Sequence, residues 1–214
     1  MYKRLKILSI SLAWAITAVL PCAGQCLENG DLLFEVAGIS EFSKAISSST
    51  AAVDSLQFDH VAMVFIEDNG AVKVIEASPE AGVRKIAIED FLFSATKIGE
   101  KPGVVVKRLK EDYSSRKAVE RALKCIGMSY DWWYLPNNGK MYCSELIYEC
   151  YIDNKGNHIF EARPMNFRTP DGQLPEFWVN LYKELGQPVP EGVLGTNPAD
   201  LSKDKRLTEI YRYF

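Results

Sequence analysis

Met141-Tyr142-Cys143-Ser144-Glu145-Leu146-Ile147 and Phe58-Asp59-His60-Val61-Ala62 are the two stretches on which the reading of this chain turns. In the first, Cys143, Leu146, Ile147 and Cys150 follow i+3, i+4 and i+7 spacing, so on a helix they share one apolar face that packs inward. The spacing predicts a helix that starts at Tyr142 or Cys143 and ends before Asp153-Asn154-Lys155-Gly156. The Cys143 thiol then sits at a helix N-terminus, where unpaired N–H groups and the positive end of the dipole favour thiolate. The alternative is a small buried hydrophobe, the fate of most free cysteines. Cys125 and Cys150 lack such a position and read as ordinary packing residues.

The second stretch opens a strand. Val61 to Ile66 is apolar on both faces, the pattern of a central strand covered on two sides, and His60 stands at its mouth. Glu67-Asp68-Asn69-Gly70 is turn chemistry, and Ala71 to Ala77 returns as the second arm of a hairpin. Along that arm Val72, Val74 and Glu76 share a face. A carboxylate therefore ends an inward apolar stripe, where an unpaired charge is expensive. A three-residue loop over Glu67-Asp68-Asn69 sets Glu76 directly opposite His60, and a change of one residue breaks that register. A carboxylate accepting from one imidazole nitrogen orients the ring and stabilises its protonated form. The competing reading is an edge residue reaching solvent. His158, the only other histidine, follows Gly156-Asn157 in a loop and is the weaker candidate.

The rest of the chain frames these residues. Leu32-Leu33-Phe34 is a short strand after the Asn29-Gly30-Asp31 turn, and Ser40 caps a short helix to Ile46. Ser47-Ser48-Ser49-Thr50 reads as a loop near a site entrance. A further strand is expected over 103–108, and a helix capped by Ser114 runs to Ile126 with Gly127 as its stop. The loop over 130–140 carries Trp132, Trp133 and Tyr134, and 177–185 forms a late amphipathic helix. The Pro- and Gly-rich tail over 186–200 wraps the surface.

At 214 residues, with 47% apolar and 25% charged side chains, the chain is one ordinary globular domain. A net charge of −3 and the lack of a dense basic run in its body exclude nucleic acid as an expected partner. Lys3, Arg4 and Lys6 precede an apolar run from Ile7 to Leu20 and then Pro21-Cys22-Ala23-Gly24. Residues 1–24 thus read as a secretory signal, and 25–214 as the catalytic domain. Lipid attachment at Cys22 or Cys26 is the lesser alternative. Two histidines and no CxxC pair make a metal site unexpected, and no cofactor is called for.

In their order along the chain, His60, Glu76 and Cys143 resemble the permuted NlpC/P60 papain-like proteins of the YiiX and YaeF/YebB type. Gly30-Asp31-Leu32-Leu33-Phe34, Asp59-His60-Val61-Ala62, Ile75-Glu76-Ala77, Gly82-Val83 and Tyr130-Asp131 match, as do Tyr142-Cys143-Ser144-Glu145-Leu146 and Gly195-Thr196-Asn197-Pro198. The likeness covers nearly all of 25–214. It implies an α+β papain-like fold, with an antiparallel sheet or partial barrel packed on the cysteine helix. It also implies Cys143 as nucleophile, His60 as base, Glu76 as the orienting group, and Tyr142 as a residue shaping the substrate site. The expected activity is an exported cysteine peptidase or amidase of the periplasm or cell envelope, acting on peptidoglycan peptides. Fatty-acyl amide or ester chemistry, acyl transfer, and a non-catalytic wall- or lipid-binding module with membrane-surface association are the alternatives.

Overall fold

The computed structural model describes residues 27–111 and 115–214. The segment read as a signal, with Cys22 and Cys26, lies outside the described residues, and so does Ser114. In chain order the elements are β1 (Leu32–Val36), α1 (Glu41–Ser48), β2 (Phe58–Ile66), β3 (Val72–Ser78), β4 (Gly82–Ala87) and α2 (Ile88–Ser94). Two short strands, β5 (Lys97–Ile98) and β6 (Lys101–Pro102), lead to β7 (Val104–Leu109), α3 (Ser115–Lys124) and α4 (Cys143–Cys150). The last part holds β8 (Arg163–Pro164), α5 (Glu176–Leu185), β9 (Leu194–Gly195), α6 (Pro198–Ser202) and β10 (Leu207–Arg212).

Six strands form one sheet in the order β10-β7-β1-β2-β3-β4, with every neighbouring pair antiparallel. The sheet is open, with β10 and β4 as its edges, so it does not close into a barrel. Strand parity divides the core in two. Leu32, Phe34, Val61, Met63, Ile75 and Ala77 pack with the apolar face of α4 and with residues of α3, α5 and α6. Leu33, Ala62, Val64 and Val74 face the other way and are covered by Ile88 and Phe91 of α2. Each of these side chains larger than alanine, fully buried, contributes about 1.5–3 kcal/mol by leaving water. β2 is therefore central and covered on both faces, as its unbroken apolar run requires.

The local signals act as their chemistry dictates. The Ser40 hydroxyl accepts from the Ser43 N–H at 3.1 Å and caps α1. The helix then continues through Ser47 and Ser48 rather than ending in a serine loop. Their hydroxyls bond back to the Lys44 and Ala45 carbonyls, so both polar groups are satisfied inside the helix. Gly82, with φ of +67°, turns β3 into β4, and a Cβ there would lie 2.2 Å from the Met128 carbonyl oxygen. Only glycine lets the chain leaving α3 dock on β4 so closely.

Several elements go beyond the sequence reading. β4 and β10 are edge strands carrying polar positions, and α2 has Ala87 at its N-cap, which offers no side-chain hydrogen bond. The tail over 186–200 does more than wrap the surface. Pro198, Ala199 and Leu201 are buried in α6, whose cap Asn197 accepts from the Asp200 N–H at 2.8 Å.

Candidate active site

Sheet register builds the charged half of the site. Glu35 of β1 pairs with His60 of β2, and Glu76 of β3 pairs with Arg84 of β4. Between β2 and β3 the pairs are Met63 with Ile75 and Val64 with Val74, and the loop spans 67–71. That loop is five residues long instead of three, so Glu76 sits two positions from the point opposite His60. A two-residue offset preserves the face of a strand, so the pair still meets, on the diagonal. His60 Nε2 lies 2.7 Å from Glu76 Oε2. Arg84 Nε donates to Glu76 Oε1 at 2.8 Å, and its Nη2 lies 2.7 Å from the same oxygen.

The result is a row of alternating groups, Glu35, His60, Glu76 and Arg84, laid across four strands. Burial by itself raises the Glu76 pKa, but hydrogen bonds and charge from His60 and Arg84 overcome it and hold the carboxyl below its ordinary range. Burial presses the His60 pKa down. Hydrogen bonds to the Cys143 thiol and to Glu76, with the negative charge of both, reverse this and lift it well above its usual value. With Nε2 committed to Glu76, Nδ1 is the nitrogen left to face the sulfur. Burial raises the pKa of Glu35, which accepts from the Thr96 N–H at 2.9 Å.

The thiol half comes from α4. Cys143 is the first helical residue and is buried, so its own N–H has no partner within the helix. Tyr142, at the cap, donates its N–H to Glu145 Oε2 at 3.4 Å. Its phenol oxygen accepts from the Thr196 N–H at 3.1 Å and sits 4.0 Å from Met165 Sδ. Burial pushes the phenol far up, against the pull of Thr196. Gly195 permits this contact, because a Cβ there would stand 2.8 Å from the Tyr142 oxygen. Behind the helix start, burial and the negative charge of Asp131 push Glu145 up to about 8.

Two cavities flank the site and share Asp59 and Tyr130 in their walls. One, of about 440 Å³, is lined by Glu35, Asp59, His60, Glu76, Arg84 and Phe91 among others. The other, of about 60 Å³, is lined by Cys143 and Ser144 together with Tyr134, Phe167, Trp178 and Thr196. The aromatic loop divides accordingly. Tyr134 stacks within 4.8 Å of Tyr142, Trp132 packs 4.9 Å from Tyr130, and the half-exposed Trp133 carries Lys140 over its ring at 3.9 Å.

The remaining candidates lie elsewhere. His158 stacks on Tyr148 at 3.9 Å and bonds the Tyr148 carbonyl through Nδ1 at 3.0 Å, a satisfied packing residue. Cys125 and Cys150 are free thiols engaged with each other, and that hydrogen bond brings Cys125 down to about 7. Glu35, Arg84 and Thr196 are the site neighbours that residue-level reading did not single out. Arg84 had a usable signal in its place on a strand opposite Glu76, while Thr196 lay in a tail read as surface.

A thiol at a helix start, packed on an antiparallel sheet whose histidine strand precedes it in the chain, defines a papain-like cysteine enzyme in permuted order. The chain belongs to the C92 family of permuted papain-like amidases, the YaeF/YiiX type, which it matches over residues 26–211. It is thus a cysteine peptidase or amidase. NlpC/P60 is the coarser name for that resemblance. The chain is 23% identical over 186 residues to the uncharacterized protein YiiX of Escherichia coli K12, covering 86% of this chain and 85% of that one. A crystal structure of YiiX from Escherichia coli O157:H7, described as a metalloprotein, superposes with a TM-score of 0.69 at 21% identity. It covers 87% of this chain and 98% of that one, a likeness of fold. Among the described residues no three His, Cys, Asp or Glu side chains are grouped to hold a metal ion, so no chemistry is derived through one.

Proposed function

We propose that this enzyme hydrolyses amide bonds in cell-wall peptides after export, with Cys143 as nucleophile, His60 as acid–base and Glu76 as the group that orients it. The observation that carries the reading is the 2.7 Å His60–Glu76 contact, which leaves the other ring nitrogen facing Cys143. A protonated imidazole beside the sulfur is the partner a thiolate needs. The sulfur attacks the amide carbonyl, and the backbone N–H of Cys143 donates to the developing oxyanion. His60 gives its proton to the departing amine as the C–N bond breaks, leaving an acyl-thioester. Water, deprotonated by His60, then cleaves the S–C bond and restores the free thiol.

Export follows from the basic and apolar N-terminal sequence, and the wall peptide is the amide polymer that an exported amidase meets. Among the described residues no helix is long and apolar enough to cross a membrane. A second reading, a fatty-acyl amide or ester as substrate, draws support from the aromatic wall of Tyr134, Phe167 and Trp178 beside Cys143.

Mass spectrometry of peptidoglycan fragments incubated with the mature protein tests the proposal, with Cys143→Ala as the control. New termini seen with wild type and lost in the variant, whose thermal unfolding is unchanged, are the expected result. Activity retained by Cys143→Ala rejects the mechanism. Release of fatty acid from N-acyl amines in place of wall cleavage moves the substrate to the second reading.

A further inference from the structure

The smaller cavity is not simply greasy. Among the described residues, the buried side-chain polar atoms that find no hydrogen-bond partner are Asn138 Nδ2, Ser144 Oγ, Trp178 Nε1, Thr196 Oγ1 and Tyr213 OH. Three of these five belong to residues lining the cavity that holds Cys143. Ser144 is 1% exposed, Trp178 2% and Thr196 8%. The Thr196 hydroxyl lies close enough to the Tyr142 phenol to lower its pKa, but meets no full hydrogen-bond geometry there. A buried donor left unmatched is costly, and three gathered on one small space are matched when something polar occupies it.

All three can donate, and the indole N–H can do nothing else, so the occupant must offer acceptor oxygens. No Lys, Arg or His lines this cavity. A carboxylate would be buried there without a counter-charge, which argues for a neutral acceptor such as an amide carbonyl. Size points the same way. The volume of about 60 Å³ is small beside the ~300–1,000 Å³ of pockets that enclose drug-sized molecules, so it takes a few atoms and not a long chain. Position assigns the cavity to the acyl side. His60, which hands its proton to the leaving amine, lines the larger cavity, while Cys143, which keeps the acyl group, lines the smaller.

We infer that the acyl half of the substrate is a short peptidyl group whose amide carbonyl is held by Ser144, Thr196 and Trp178, and that a plain alkyl chain is discriminated against. This rests on Cys143 being the group that carries the acyl chain.

Aldehydes test it without requiring turnover. The Cys143 thiol adds across the C=O group: an S–C bond forms, the thiol proton ends on oxygen, and nothing is oxidised or reduced. N-acetylglycinal and pentanal have the same chain length and differ by an amide in place of CH₂–CH₂. Their adduct constants are read from protection of Cys143 against iodoacetamide, by peptide mass spectrometry that separates Cys143 from Cys125. Each constant is divided by that of the same aldehyde with glutathione, which removes intrinsic reactivity.

After that correction N-acetylglycinal binds wild type at least about tenfold more tightly than pentanal, the scale of one well-matched buried hydrogen bond. The carboxylate analogue 4-oxobutanoate binds less tightly than N-acetylglycinal. Thr196→Val and Ser144→Ala each reduce the preference roughly threefold or more, with pentanal unchanged. Equal or tighter binding of pentanal overturns the inference, as does an equal loss of both aldehydes in the variants or no adduct at Cys143 at all. The hydrolase reading fails separately, through turnover that survives Cys143→Ala, because the aldehyde ratio needs the thiol and not the reaction.

Discussion

Glu76 and Glu145 are two carboxylates buried within the same site, and they end in opposite protonation states. Burial is the largest influence on each and pushes both upward. Glu76 lies between His60 and Arg84 on a sheet and is driven down to the ionised form. Glu145 lies at a helix start, faces the fully buried Asp131, and receives a single N–H from Tyr142, so it rises to about 8 and keeps its proton at neutral pH. Depth alone does not fix the charge of a buried acid; what faces it does. The sheet supplies cations because its register sets one side chain against another across strands, while the helix start supplies only N–H groups.

The same substitution at the two positions separates them most sharply. Glu76→Gln lowers amide turnover at neutral pH by about 10²–10⁴-fold, because His60 loses the charge that orients and protonates it. NMR titration then finds the His60 pKa displaced downward. Glu145→Gln, an isostere of a carboxyl that is already neutral, changes turnover by less than about twofold. Comparable losses at both positions would remove the distinction.

Asp31 is a third buried carboxylate and a control for pairing without catalysis. Arg108 holds it with two contacts, Nε to Oδ1 at 2.6 Å and Nη2 to Oδ2 at 2.8 Å. Arg108→Ala strands that charge and costs about 3–5 kcal/mol in chemical denaturation, while the residual folded enzyme keeps its rate per molecule. Arg84→Ala is milder. Arg84 is 40% exposed and His60 remains on Glu76, so turnover drops by roughly tenfold and the acid limb of the pH–rate profile moves upward.

Stability against pH gives the smallest and cleanest contrast. The Glu76 contribution is present above the unfolded carboxylate pKa of about 4.3 and is lost as pH falls through its lower folded value. The His60 contribution is complete below about 6.5 and is lost as pH rises through its raised folded value. Glu145 works the other way from Glu76. The fold holds its proton up to about 8, so stability declines from pH ~4.3 toward 8, and the full penalty stands above that. Urea denaturation across pH 5 to 9 is expected to show Glu145→Gln gaining on wild type as pH rises. A constant difference would mean that Glu145 does not titrate in this window.

Much of this arrangement was legible in the residues. The i+3, i+4 and i+7 spacing fixed the face of α4 and placed Cys143 at its start, and the double-faced apolar run made β2 central. The face of Glu76 was readable because strand parity survives an error of two residues. The loop length was not readable. Closing over five residues depends on the Glu67 N–H reaching the Ala71 carbonyl at 2.9 Å and the Gly70 N–H reaching Glu67 at 2.8 Å, and Asp-Asn-Gly chemistry fits shorter turns as well. Arg84 escaped notice because its short edge strand carries Arg84 and Lys85 side by side and lacks a clean strand pattern. Thr196 escaped because Pro and Gly in the tail spoke for a surface strap, although Asn197-Pro198 is a helix-start signal. The parts that were missed are those whose role arises only from long-range pairing.

The free edges of the sheet, β4 and β10, lie far apart in the chain, and the site is drawn from residue 35 through residue 196. Synthesis therefore releases Glu35, His60, Glu76 and Arg84 first, the Cys143 sulfur much later, and the Gly195-Thr196 segment that seats Tyr142 last of these. Many contacts join distant segments, so folding is slow to close, and the thiol gains its buried surroundings only after the Gly195-Thr196 segment has emerged. The topology thereby ties assembly of the site to the arrival of the 195–196 segment.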